Sequence, residues 1–385
     1  VDKKQQGNVM KSVNTWLKLL ALSSFAIAQG ALAQQIPEQS MLPCDEVEQA
    51  ILEQATPEEV KRITAYQPAQ VVQRKNPNYP KSAARSGNEG WVMMSYVIDV
   101  DGNVQDPIVE DFEGDKDFKR SAIRALKDWK FSPAMKDGKP TEQCHSAVRF
   151  DFTMGNANGA SRSFVRVYKK ARDLLASGDI SGAEDQLTEL KNDSDFNRYE
   201  NAWMSSLDAN IAQELEDDQR ELKAISRTIA TSDTHASGKS TFNDEYIGYL
   251  YQRSFILETQ LGYFANALQT AEKIAQRDDG ESLIQPLQNT IDEVITMIAS
   301  DQHLVTDVNI SDSGQYFHSL ARNKFAFVDI VGNLDTVEVR CDTHREKFTV
   351  AEQHVWTIPA SWGQCRVIVK GQQGANFALV EINRV

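Results

Sequence analysis

The 385 residues carry 55 acidic against 41 basic side chains, a net charge of −14, with 41% hydrophobic and 25% charged residues. That balance belongs to a globular chain too long for one ordinary core. Its charge repels phosphate backbones and anionic lipid alike, which excludes nucleic acid as the expected partner.

From Met10 the chain reads MKSVNTWLKLLALSSFAIAQGALAQQ. Lys11 supplies a charge, Leu19 to Ala28 an apolar run and Ala31-Leu32-Ala33 an A-x-A site, the pattern of an export signal over residues 10–33 cleaved after Ala33. An uncleaved anchor needs about 20 predominantly apolar residues, and Lys18, Ser23-Ser24 and Gln29-Gly30 interrupt this run. Residues 1–9 precede that Met and take no part in the expected fold. Export predicts the periplasm, an oxidising compartment, with inner-membrane anchoring by a retained signal as the alternative. The four cysteines are then expected to pair as Cys44 with Cys144 and Cys341 with Cys365. A rival metal site over Cys341, His344, His354 and Cys365 lacks the short paired ligand loops of zinc modules, so no metal is expected.

Residues 34–66 read as linker and short helices, broken at Thr56-Pro57 where Thr caps and Pro opens a second turn. A compact unit follows over residues 67–153. Val92, Met94, Tyr96, Ile98 and Val100 alternate along a strand, Asp101-Gly102 is a hairpin turn requiring positive φ, and the return strand runs from Val104 to about Phe112. Phe118, Ala122, Ala125, Leu126 and Trp129 recur at helical spacing. In the last strand, HSAVRFDFT, Val148, Phe150 and Phe152 alternate with Ala147, Arg149 and Asp151.

The segment NPNYPKSAARSGNEGWVMMSYVIDVDGNV, then SAIRALKDWKFSPAMKDGKP and the aromatic last strand, resembles the C-terminal domain of the TonB family of periplasmic energy transducers. Tyr79-Pro80, Gly90, Asp101-Gly102, Trp129, Phe131 and Pro133-Ala134 stand at that family's places, over under a quarter of the chain. The acidic run EDFEGDKD departs from the family's usual small residues. The resemblance implies a ββαβ unit whose last strand, about His145 to Thr153, borders the sheet. A peptide from an outer-membrane TonB-dependent receptor, or another envelope protein, would add there as a further strand. The docking edge is then Ala147, Val148, Arg149, Phe150 and Asp151, with Arg149 on the solvent face.

Over residues 160–300 helical spacing returns, with corners at Gly178-Asp179 and Gly262-Tyr263 that resemble tetratricopeptide repeats. The corners stand about 84 residues apart and not at a period of about 34. ATSDTHASGKSTFND between them reads as a loop. Beyond about residue 304 the runs FAFVDIVG, TVEVRC, HVWTIP, CRVIVKG and FALVEI predict a small β-sandwich. SGKST has Asp233 where a P-loop needs its first Gly, and DVDG at 99–102 is a turn without the helices of a calcium loop. With no G-x-S-x-G elbow or H-E-x-x-H helix, neither enzymatic activity nor a cofactor is expected.

The expected architecture is therefore α+β and multidomain: TonB-like unit, helical repeat-like middle, C-terminal sandwich. The chain has only 11 Pro, none in a long run, whereas the family's full transducers have a Pro-rich spacer and a retained membrane helix. An adaptor supporting TonB-dependent transport is the expected role. The alternatives are an envelope scaffold that binds peptidoglycan or membrane proteins through its helices, and an anchored transducer. Oligomeric state is not legible.

Overall fold

The computed structural model describes residues 66–154, 159–192, 196–232, 240–350 and 354–383, which all belong to one compact unit spanning Thr64–Val385. The export signal, Cys44, the helix break at Thr56-Pro57 and most of the SGKST loop lie outside the described residues.

The first region starts with strand β1 (Gln70–Gln73) and helix α1 (Lys81–Ser86), which Gly87 closes in the left-handed conformation at φ 77°. Strands β2 (Gly90–Ile98) and β3 (Val104–Glu113), helix α2 (Asp117–Lys127), the short strands β4 (Lys130–Ser132), β5 (Ala134–Lys136) and β6 (Lys139–Thr141), and strand β7 (Gln143–Phe152) follow. The main sheet is antiparallel in the order β3-β2-β7, while β1 pairs with β4 and β5 with β6. Val92, Met94, Tyr96 and Ile98 pack against Phe118, Ala122, Leu126, Trp129 and Phe131, because an alternating strand and a 3.6-period helix each offer one apolar face. Two local expectations are corrected. Val100 lies beyond the strand and is 46% exposed. In the hairpin only Gly102 takes positive φ, at 79°; Asp99 Oδ1 accepts from the N–H groups of Asp101 and Asn103, a side-chain turn that removes the need for a second left-handed residue.

The middle region holds α3 (Arg162–Ala176), α4 (Ile180–Asn192), α5 (Arg198–Glu214), α6 (Asp218–Ser232), α7 (Asp244–Gln260), α8 (Phe264–Ala275), α9 (Gly280–Ile284) and α10 (Gln288–Ala299). It contains successive helix pairs α3/α4, α5/α6 and α7/α8, and the middle pair accounts for the long gap between the two corners legible in sequence. All three corners have one design. Asp179 N–H donates to Leu174 O, Asp217 N–H to Ala212 O and Tyr263 N–H to Glu258 O, while Gly178, Glu216 and Gly262 take φ of 83°, 55° and 76°. This is the Schellman closure, which favours Gly at the left-handed position. At the middle corner a glutamate bears that conformation, at a cost of about 1 kcal/mol or slightly more. Glu216→Gly is expected to raise stability by up to about 1 kcal/mol, after the entropy that Gly loses on folding. Urea titration of both chains checks this, and a destabilised variant would show that the Glu216 side chain contributes more than its backbone costs.

The last region is a two-sheet sandwich of β8 (Leu304–Asn309), β9 (Gln315–Ser319), β10 (Lys324–Val331), β11 (Leu334–Cys341), β12 (Arg345–Phe348), β13 (Trp356–Thr357), β14 (Cys365–Gly371) and β15 (Asn376–Glu381). Its sheets run β13-β10-β15-β8 and β12-β11-β14-β9 around Phe325, Phe327, Val337, Val339, Val367, Val369, Phe377 and Leu379. Cys341 and Cys365 face each other on β11 and β14 and form a disulfide, so these sulfurs are not a thiolate pair for a metal. The sandwich is locked to α10 through Arg322, whose guanidinium donates to the carbonyls of Met297, Ile298 and Ser300 near that helix's C-terminus.

Candidate functional site

β7 is the border strand of the three-stranded sheet. One side pairs with β2, from Gly90↔Phe152 to Ile98↔Gln143; among the described residues no strand lies on the other side. At its start the outer side meets a carbonyl of the sandwich, Asp342 O, which accepts from Cys144 N–H at 3.2 Å. From His145 to Phe152 no strand among the described residues pairs with this outer side.

The side chains of this edge divide by face. Phe150 is buried and Val148 half-buried against α2, and Ala147 is exposed. Arg149 and Asp151 point away from that core, yet not into solvent. Arg149 donates to Ala230 O at 2.9 Å and pairs with Asp151 at 3.2 Å. Arg198 takes the neighbouring Thr231 O at 2.6 Å, so two guanidiniums satisfy carbonyls in the last turn of α6. The expectation that Arg149 stands on a solvent face is thus corrected.

Much of that second face is covered. Trp91, Ser95 and Val97, on the opposite side of β2 from the α2 core, are buried. Trp91 Nε1–H donates to Glu113 Oε2 at 3.0 Å and to Thr231 Oγ1 at 2.8 Å. The Glu113 carboxylate also accepts from Thr231 at 2.6 Å and Ser205 at 2.9 Å. Burial pushes its pKa above the ordinary carboxylate value, and those donors together with nearby Arg227 oppose the shift. Glu89 accepts from Met154 N–H at 2.6 Å and Arg198 N–H at 2.9 Å.

The acidic run that departs from the resembled family lies at this interface. Asp111 takes both arms of Arg227 on α6 at 2.9 and 2.6 Å, and Glu110 pairs with Arg366 on β14. A little earlier, Asp106 sits at φ 43° beside an irregularity in the β2/β3 register. Its carboxylate meets Arg345 and Lys347, and its carbonyl accepts from Arg340 at 3.1 Å. A bulge re-aims a side chain in this way. None of these contacts was read from sequence, although the departure itself marked the place.

The motif residues build the edge. Tyr79 donates to Asn88 O and meets Phe118 and Phe152 edge to face at 5.6 and 5.8 Å; Pro80 opens α1. Trp129 Nε1–H donates to Lys75 O at 2.9 Å, Phe131 is buried, and Pro133 is half-buried beside fully buried Ala134. Asp101 is exposed in the turn. Cys144 is a buried thiol, pushed up to about 12 by burial and then by Glu142; its expected partner Cys44 is not among the described residues.

Residues 75–154 match the family model of the Gram-negative bacterial TonB protein C-terminal. Protein TonB of Vibrio cholerae serotype O1 is 36% identical over 89 residues, 23% of this chain and 36% of that protein. Protein TonB of Xanthomonas campestris pv. campestris (strain B100) is 35% identical over 63 residues, 16% of this chain and 28% of that one. The chain therefore spans about a third of the length of the curated relatives it matches. Among solved structures, the Pseudomonas aeruginosa TonB C-terminal domain is 26% identical, with 23% of this chain and 88% of that chain covered and a TM-score of 0.21. The TonB2 protein from Vibrio anguillarum is also 26% identical, with 34% and 100% covered and a TM-score of 0.20.

Proposed function

We propose that this chain is a non-catalytic periplasmic adaptor, exported with cleavage after Ala33, with a TonB-family role in envelope transport. In this reading the outer edge of β7 takes up an extended peptide from an outer-membrane TonB-dependent receptor. The observation that carries the reading is that β7 borders its sheet with no strand beyond it among the described residues. An unpaired row of N–H and C=O groups is a template for strand addition, in which backbone bonds supply affinity. One further feature supports an adaptor role: the ionic contacts of β3 join the unit to the helices and the sandwich. No helix among the described residues is long and apolar enough to cross a membrane.

Proline tests the edge directly, because it removes a donor and cannot extend a ladder. Ala147→Pro and Val148→Pro, one of which removes an outward N–H, are expected to weaken binding of a synthetic receptor-derived extended peptide at least about tenfold. Ala147→Ser, on an exposed position, should bind as the parent does. Fluorescence anisotropy reads the affinity and circular dichroism confirms the fold. Folded proline variants that bind like the parent, or a parent that binds no such peptide, would overturn edge addition.

A further inference from the structure

The outer face of α2 is basic in a chain whose net charge is −14. Lys116 precedes the helix, and Arg120, Arg124 and Lys127 follow on the same face at helical spacing, all four exposed. Lys119 adds its ammonium over the Phe112 ring at 4.0 Å. Beside Arg124 and Lys127 lies a cleft of about 370 Å³, lined also by Lys75, Asn76, Asn78 and Ser121. Acidic side chains on this face are fewer: Asp117 is engaged by Arg120, and Asp128 by Lys75 at 2.5 Å. The asymmetry has a structural origin. Asp106, Glu110, Asp111 and Glu113 of β3 are spent on the opposite side of the sheet, against Arg345, Arg366, Arg227 and the Trp91 cluster.

We infer that this face of α2 is a docking surface for an anionic phospholipid membrane, bound peripherally through headgroup phosphates. Two magnitudes decide that the local charge prevails over the global one. The carboxylates behind the sheet are each paired with a cation or hydrogen-bonded in place, and exposed charges elsewhere on the surface are largely screened beyond about 8 Å at physiological salt. Each Lys or Arg held near an anionic leaflet contributes roughly a fivefold gain in partitioning. The absence of apolar anchors favours lipid over a protein partner: none of the large exposed apolar side chains among the described residues lies on α2, whereas protein interfaces centre on buried aromatic and aliphatic groups.

The test is co-sedimentation of the full chain with phosphatidylethanolamine vesicles with and without about 30% phosphatidylglycerol. The parent is expected to partition onto the anionic vesicles only and to be released by about 0.5 M salt. Neutralising three cations in Arg120→Gln/Arg124→Gln/Lys127→Gln should reduce partitioning about a hundredfold. The control Lys169→Gln/Lys170→Gln, two exposed positions on α3, should leave it unchanged. The apolar run near the N-terminus is common to every variant, so the difference between them reports α2. Equal binding of parent and triple variant, or no preference of the parent for anionic vesicles, overturns the inference. So does retention of the parent on a polyglutamate matrix without vesicle binding, which would assign the face to an acidic protein instead.

Discussion

Gly90→Ala is expected to destabilise the folded chain by about 4 kcal/mol or more, beyond the usual cost of overpacking a core. A Cβ on Gly90 would stand 2.0 Å from Glu113 O, 2.8 Å from Glu113 C and 3.1 Å from Gly114 Cα. All three are backbone atoms, so no rotamer change relieves the overlap. Nor can β3 shift freely, because the Glu113 side chain is held by Trp91, Ser205 and Thr231. A methyl group here forces apart either the first β2/β3 pair, Trp91↔Glu113, or the contact between this sheet and α5 and α6. Urea unfolding followed by tryptophan fluorescence measures the loss. A variant within about 1 kcal/mol of the parent would show that the strand ends yield easily, and would remove steric need as the reason for glycine at this motif position.

Removing the Cys341–Cys365 disulfide is expected to cost about 3.5 kcal/mol by the chain-entropy relation, given its sequence separation of 24. The double variant Cys341→Ala/Cys365→Ala avoids leaving buried thiols or hydroxyls at positions that are 0% and 8% exposed. Unfolding of the parent with and without dithiothreitol should show the same decrement, and the double variant should not respond to the reductant. The consequence extends to the candidate site, since Asp342, next to Cys341, supplies the carbonyl that holds Cys144 N–H at the head of β7. If the parent is equally stable oxidised and reduced, the cross-link constrains nothing that the sandwich core does not already fix.

The small sheet and its helix were legible because each carries a clean period: Val92, Met94, Tyr96 and Ile98 at two, and Phe118, Ala122 and Leu126 near 3.6. The middle helix pair was not legible because its corner has Glu216 where the flanking corners have Gly178 and Gly262. A search for the glycine signature therefore skips from the first corner to the third, although the backbone closure is the same in all three. In the sandwich, β8, β9 and β12 were not singled out. β8 and β9 complete their burial against β15 and β14, far along the chain, and β12 is only a four-residue arm of a local hairpin with β11.

What residue order determined by itself is local: the hairpin, the amphipathic helix, the alternating aromatic last strand, and the acidic run along β3; the place of that strand at a sheet border was implied only by the family resemblance. The odd positions of β2, Trp91, Met93 and Val97, already made GWVMMSYVI a nearly continuous apolar run, which is the pattern of a strand buried on both faces. Only the tertiary structure decided what covers the second face. The partners of Glu110, Asp111 and Glu113 are Arg366, Arg227 and the side chains of Trp91, Ser205 and Thr231, and no spacing rule connects most of them. Periodicity records which face of an element is apolar, because that depends on neighbours within a few residues. The choice of partner for a charge depends on which distant segments share a low-dielectric interface, where an unpaired carboxylate is costly, and that is settled when the three regions pack.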